Sequence, residues 1–196
     1  MSTSRGGPPR RSTKITLKPG ETLVLPKPQN QDIIQFDINN GFIRISAITA
    51  TEYDEITVGF ATSTELIQFS YPHVLELKIE AITTTNLQIE YAKKEESTTL
   101  ENDYLYEWIL QLHTIRHPIK ADERLMYFLN LLASRLGKRT SEGLLLEFLL
   151  PHGRVAEIIG TTRSTVSRTI STLRKRDTVV IDELKNQILI PIKDLD

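Results

Sequence analysis

The chain has 196 residues, 39% hydrophobic and 25% charged, with a formal net charge of −1. That balance describes a soluble globular protein with room for two small domains, each with its own core. The absence of cysteine excludes disulfides, cysteine–zinc sites, iron–sulfur clusters and thiol catalysis. No run of about 18 apolar residues could cross a membrane, and no signal-peptide core opens the sequence, so a cytoplasmic protein is expected.

Residues 1–13 are polar, basic and rich in glycine and proline, with Arg5, Arg10 and Arg11. They are expected to form a disordered, solvated tail. Residues 14–97 carry a β signal. Ile15–Lys18 alternates and turns at Pro19-Gly20. Thr22–Leu25 follows, and Ile33–Phe36 and Phe42–Ile45 flank a turn at Asn39-Asn40-Gly41. Glu55–Phe60, Val74–Ala81 and Thr85–Tyr91 continue the pattern. Short strands with regular turns and no helical period predict a sandwich or small jelly roll. A metal-dependent enzyme of the cupin type would need several histidines. Only His73 precedes residue 100, so no enzymatic activity, metal or cofactor is expected.

Residues 98–120 change to a helical period. Leu100, Tyr104, Leu105, Trp108, Ile109, Leu112 and Ile115 make one apolar stripe, with Glu101, Asp103 and Glu107 beside it. The stripe must be covered by the chain itself or by a second copy. The second use is expected, with Leu100, Tyr104, Trp108, Leu112 and Ile115 as the dimerisation seam. His117-Pro118 ends this helix and leads into a hinge.

Residues 121–196 read as a winged helix. A helix opens at Asp122 and runs to Gly137, and Leu144–Phe148 is extended. His152–Ile159 forms a first short helix ending at Gly160, which can adopt φ > 0. Thr161 and Thr162 offer hydroxyl caps to the next helix. That helix turns Val166, Ile170 and Leu173 inward and Ser164, Ser167, Arg168 and Ser171 outward. Val179–Ile181 and Ile188–Ile192 then flank Asp182–Gln187 as a hairpin wing. Within residues 151–176, six cations (Arg154, Arg163, Arg168, Arg174, Lys175 and Arg176) stand against one acid, Glu157. A basic, hydroxyl-rich face suits major-groove reading: arginine can bond guanine bidentately, short side chains allow close approach, and flanking cations meet phosphates. The expected double-stranded-DNA contacts are Thr162, Arg163, Ser164, Thr165, Ser167 and Arg168 at base edges or backbone, with Arg174 and Lys175 at phosphates.

The order β-roll, long helix, Asp122–Leu132, helix-turn-helix and wing resembles the CRP/FNR superfamily of bacterial transcription regulators. Its second half is most similar to the cyanobacterial nitrogen-regulator branch. Ala156, Gly160, Arg163, Thr165, Val166 and Arg168 sit at motif positions, while Lys18–Glu21 and Gly41–Ile45 resemble early β-roll turns. Ser164 and Thr169 depart from the usual pattern. The resemblance implies an α+β fold and a homodimeric regulator reading a palindromic site, with RNA polymerase as a further partner. Its nucleotide cassette, a Gly-Glu pair with a nearby arginine, is missing. From Phe60 to Ala92 there is no arginine, and Lys78 is the sole cation. The sensor is therefore expected not to answer to cyclic nucleotides, leaving an unknown small molecule, a protein effector or constitutive binding. A protein-interaction module on the same scaffold is the alternative function.

Overall fold

The computed structural model describes residues 11–27, 32–48, 55–63, 67–72, 75–93 and 103–191. Arg5, Arg10, His73, Leu100, Glu101 and Ile192 lie outside these residues. The described residues of the N-terminal half form antiparallel strands: β1 (Arg11–Leu17), β2 (Thr22–Val24), β3 (Asp32–Asn40), β4 (Phe42–Ile48), β5 (Glu55–Thr62), β6 (Ile67–Ser70), β7 (Glu76–Ala81) and β8 (Thr85–Lys93). They form two four-stranded sheets, ordered β1-β8-β3-β6 and β2-β7-β4-β5. Alternation places Ile34, Phe36 and Ile38 of β3, and Ile43, Ile45 and Ala47 of β4, in one buried core. Phe36 and Phe69 meet edge to face at 5.4 Å. The strand β6, within a segment for which the sequence pattern predicted no strand, pairs with β3 from Ile33↔Ser70 to Phe36↔Ile67.

β4 is buried along both faces, since Arg44 and Ser46 are as covered as Ile43 and Ile45. A strand with one apolar and one charged face, both out of water, must have a second layer on its charged side. That layer is the C-terminal half.

α1 (Tyr104–Thr114) starts where Asp103 accepts hydrogen bonds from the amides of Leu105 and Tyr106. The other oxygen of the same carboxylate accepts from the Ser70 amide at 3.0 Å, tying the helix start to β6. The helix then lies on β5. A Cβ at Gly59 would sit 3.2 Å from Trp108 Cγ, so the bare backbone there lets the indole settle. Trp108 is fully buried, tilted against Phe60 at 5.5 Å, with the Arg135 guanidinium 4.3 Å above its ring. This corrects the expected dimer seam. Tyr104, Trp108, Leu112 and Ile115 are 0–7% exposed within a single chain, so they pack on their own β sheet and on α2 (Ala121–Leu136) instead of facing a twin. Leu100 is outside the described residues. The opposite face of α1 remains open, with Tyr106, Ile109 and Leu110 exposed.

After α2 come β9 (Lys138–Arg139), β10 (Gly143–Leu146), α3 (His152–Ile159), α4 (Arg163–Lys175), β11 (Val180–Asp182) and β12 (Gln187–Pro191). The last strands form a sheet ordered β11-β12-β10-β9. The pairing Val180↔Leu189 to Asp182↔Gln187 makes the expected hairpin after α4.

Candidate nucleic-acid interface

The turn between α3 and α4 is built from three local choices. Gly160 takes the left-handed conformation at φ 66°, where a Cβ would be strained. The Thr161 amide reaches back to the Ala156 carbonyl at 2.9 Å. The Thr162 hydroxyl accepts from the Thr165 amide at 3.2 Å, satisfying one of the first free donors of α4. Outside the turn, Arg116 donates through Nε and Nη2 to the carbonyls of Ile158 and Glu157, both at 2.9 Å. Arg124 Nη1 donates to the Gly160 carbonyl at 3.1 Å. Two guanidiniums thus close the C-terminal end of α3, where carbonyls lack helical partners and the helix dipole is negative.

α4 buries Val166 and Leu173 and half-buries Ile170. Its 13 residues span about 20 Å. At 100° per residue, Ser164, Ser167 and Ser171 form a hydroxyl strip along the outer face, with Arg163 and Arg174 on one shoulder and Arg168 on the other. All six are exposed. The hydroxyls of Ser171 and Thr172 fold back onto the carbonyls of Ser167 and Arg168. The strip is therefore low and smooth, able to approach a flat polar surface.

Among the described residues the expected contacts fall into two groups, exposed cations without a carboxylate and side chains already bonded within the protein. Arg163 and Arg168 carry no ion pair among the described residues, and Lys175 is likewise exposed. Thr162 is an N-cap first, since its hydroxyl also lies 2.9 Å from those of Ser164 and Thr165. Arg174 is held by Glu183 of the wing at 3.0 Å, with both side chains largely in water. Arg154, one of the six cations of the segment, points the other way. It meets Glu157 at 2.7 Å and Glu80 of β7 at 3.5 Å. The sequence alone does not separate these, because Glu80, the partner that draws Arg154 toward the β domain, lies 74 residues away.

Comparison with known proteins agrees with this geometry. Residues 123–196 match the family model described as the Crp-like helix-turn-helix domain. The chain is 30% identical over 128 residues to the global nitrogen regulator of Nostoc sp. (strain PCC 7120), covering 62% of this chain and 57% of that protein. The chain thus spans a little over half the length of this curated relative. FixK2 from Bradyrhizobium japonicum shares the fold with a TM-score of 0.66 at 16% identity, covering 92% of each chain. A CRP/FNR-family transcriptional regulator from Thermus thermophilus superposes with a TM-score of 0.60 at 16% identity, over 93% of this chain and 96% of that one. Such identities speak for the fold alone. Among the described residues no helix is long and apolar enough to cross a membrane.

Proposed function

We propose that this chain is a sequence-specific, double-stranded-DNA-binding transcription regulator that reads a major groove with the outer face of α4. One observation carries this reading: Arg163 and Arg168, without carboxylate partners among the described residues, flank an exposed serine strip on the second helix of a Crp-like helix-turn-helix. Arg163 is assigned a bidentate guanine contact. Arg168, Ser164, Thr165 and Ser167 are assigned base edges or neighbouring phosphates, and Lys175 a phosphate. Selection of bound duplexes from a random pool tests the reading. Enrichment of one motif supports it, and a pool that stays random, with binding independent of salt, defeats it.

The regulator acts as a homodimer on two half-sites, through the outer face of α1 in place of the stripe now buried. Tyr106, Ile109 and Leu110 lie at i, i+3 and i+4 there and are 46–62% exposed. Large apolar side chains grouped on one helix face favour self-association across a two-fold axis. Sedimentation of the unaltered chain against a Tyr106→Asp, Leu110→Asp variant checks this. A folded monomer is expected only for the variant.

Cyclic nucleotides are not the signal. Lys78, the lone cation between Phe60 and Ala92, pairs with Glu55 on the outer face of its sheet, while the described inner face is apolar. A phosphate left there without a cation would lose several kcal/mol. Calorimetric titration with cyclic AMP and cyclic GMP is expected to give no micromolar binding, and tighter operator binding in their presence would reverse this conclusion.

A further inference from the structure

The surface on which the helix-turn-helix unit meets the β domain joins an aromatic contact to a run of ion pairs, and DNA reading by α4 uses neither. Phe42, at the start of β4, lies 4.7 Å from Phe148, which is 1% exposed. Phe60 of β5 approaches Phe128 of α2 at 6.2 Å. Beside these rings, buried Arg44 donates through Nη2 to Glu55 at 2.7 Å and through Nε to Glu80 at 2.9 Å. Lys78 also pairs with Glu55. Glu80 Oε2 accepts a second guanidinium, that of Arg154 on α3, whose other nitrogen holds Glu157. Charges therefore alternate from β5 through β4 and β7 into α3. Their directional demands fix how α3 sits, where an apolar patch alone would tolerate sliding. From α3 the constraint passes to α4 through Gly160 and the Arg116 and Arg124 bonds.

We propose that Glu80, Arg154 and Phe148 are positioning residues for DNA reading. They seat α3, and through it α4, at one orientation on the β domain, so that a dimer presents its two recognition helices at one fixed separation. The inference rests on the dimeric DNA reading proposed above. A helix-turn-helix on a free tether would accept several half-site spacings and lose affinity to the ordering required, whereas a seated one accepts one spacing with its geometry set beforehand.

The cysteine-free sequence allows a direct test, because Lys18→Cys and Lys185→Cys are the only thiols that a spin label would find. One narrow distance within a protomer is expected in the otherwise unaltered chain when the labelled protein is diluted with an excess of unlabelled protein, so that each dimer carries one labelled protomer. Arg154→Glu, which sets a carboxylate against Glu80, and Phe148→Ala are expected to broaden it, while Arg154→Lys keeps it narrow. On duplexes whose half-sites are moved apart by one base pair, about 3.4 Å along the axis, the unaltered protein should lose about tenfold in affinity. Arg154→Glu should lose no more than about threefold, while keeping its base preference within each half-site. General destabilisation would lower binding to every spacing alike and leave that ratio untouched. A broad distance in the unaltered chain, or a narrow distance and full spacing discrimination in Arg154→Glu, overturns the proposal. Absence of binding to any duplex would sink the DNA reading instead, with a narrow distance still marking the seated arrangement.

Discussion

Helices α3 and α4 are neighbours joined by the short turn at Gly160, and both carry arginine, yet they use it in opposite ways. The arginine of α3 points into the protein, with Arg154 shared between Glu80 and Glu157. On α4, Arg163 and Arg168 face water with no ion-pair partner among the described residues. A guanidinium already meeting carboxylates would have to break those bonds to reach a phosphate. An unpaired one on a helix face brings its full charge and five donors to a ligand. The number of cations in a segment therefore says little about ligand binding until the partner of each is known.

The largest effect is expected where α1 packs on its own sheet. Trp108→Ala removes the largest buried side chain of α1, and truncations of this kind destabilise by about 3–5 kcal/mol. Chemical denaturation should register that loss. A change within about 0.5 kcal/mol would mean that the stripe is not packed on its own chain. Next, Arg163→Ala should weaken binding to the selected site by about 1–3 kcal/mol and relax preference at one base pair. Equal loss on specific and random duplexes in a fluorescence titration would remove Arg163 from base reading. Thr162→Ala comes third. Loss of the cap should lower stability by about 1 kcal/mol with base preference unchanged. A shift in the selected motif would show the hydroxyl to be a DNA contact after all. The smallest effect is expected at Arg174, where a solvent-exposed pair contributes about 0–1 kcal/mol. Arg174→Ala should leave folding almost unchanged and, if the side chain leaves Glu183 for a phosphate, reduce the salt slope of DNA binding by about one. An unchanged slope would put Arg174 with Arg154, among the cations that serve the protein itself.

Much of the fold is legible in the sequence because its signals are local. The hydroxyl caps, the left-handed Gly160, the alternation of β4 and the hairpin after α4 all depend on residues within a few positions of each other. The strand β6 escaped because Ile67–Ser70 is too short to display a period, and its ladder with β3 is formed over thirty residues away. The stripe of α1 was legible as apolar and illegible as to what covers it. Periodicity identifies a face to be buried, but only the bare backbone at Gly59 shows that a sheet of the same chain can accept the indole. The candidate site divides in the same way. The exposed serines and Arg168 follow from helical geometry alone, while the diversion of Arg154 and the pairing of Arg174 depend on acids contributed from elsewhere.

Gly41 gives this architecture a genetic consequence. Its φ of +94° and its closeness to the next hairpin leave no space for a side chain, because a Cβ would collide with the Thr85 hydroxyl and the Thr84 carbonyl. The residue after it is Phe42, whose ring meets Phe148. A Gly41→Ala allele would therefore displace one half of an aromatic pair whose other half leads directly into α3. In a screen for lost operator control such an allele should score among the DNA-binding defects, although it lies in a β-turn more than a hundred residues before the recognition helix.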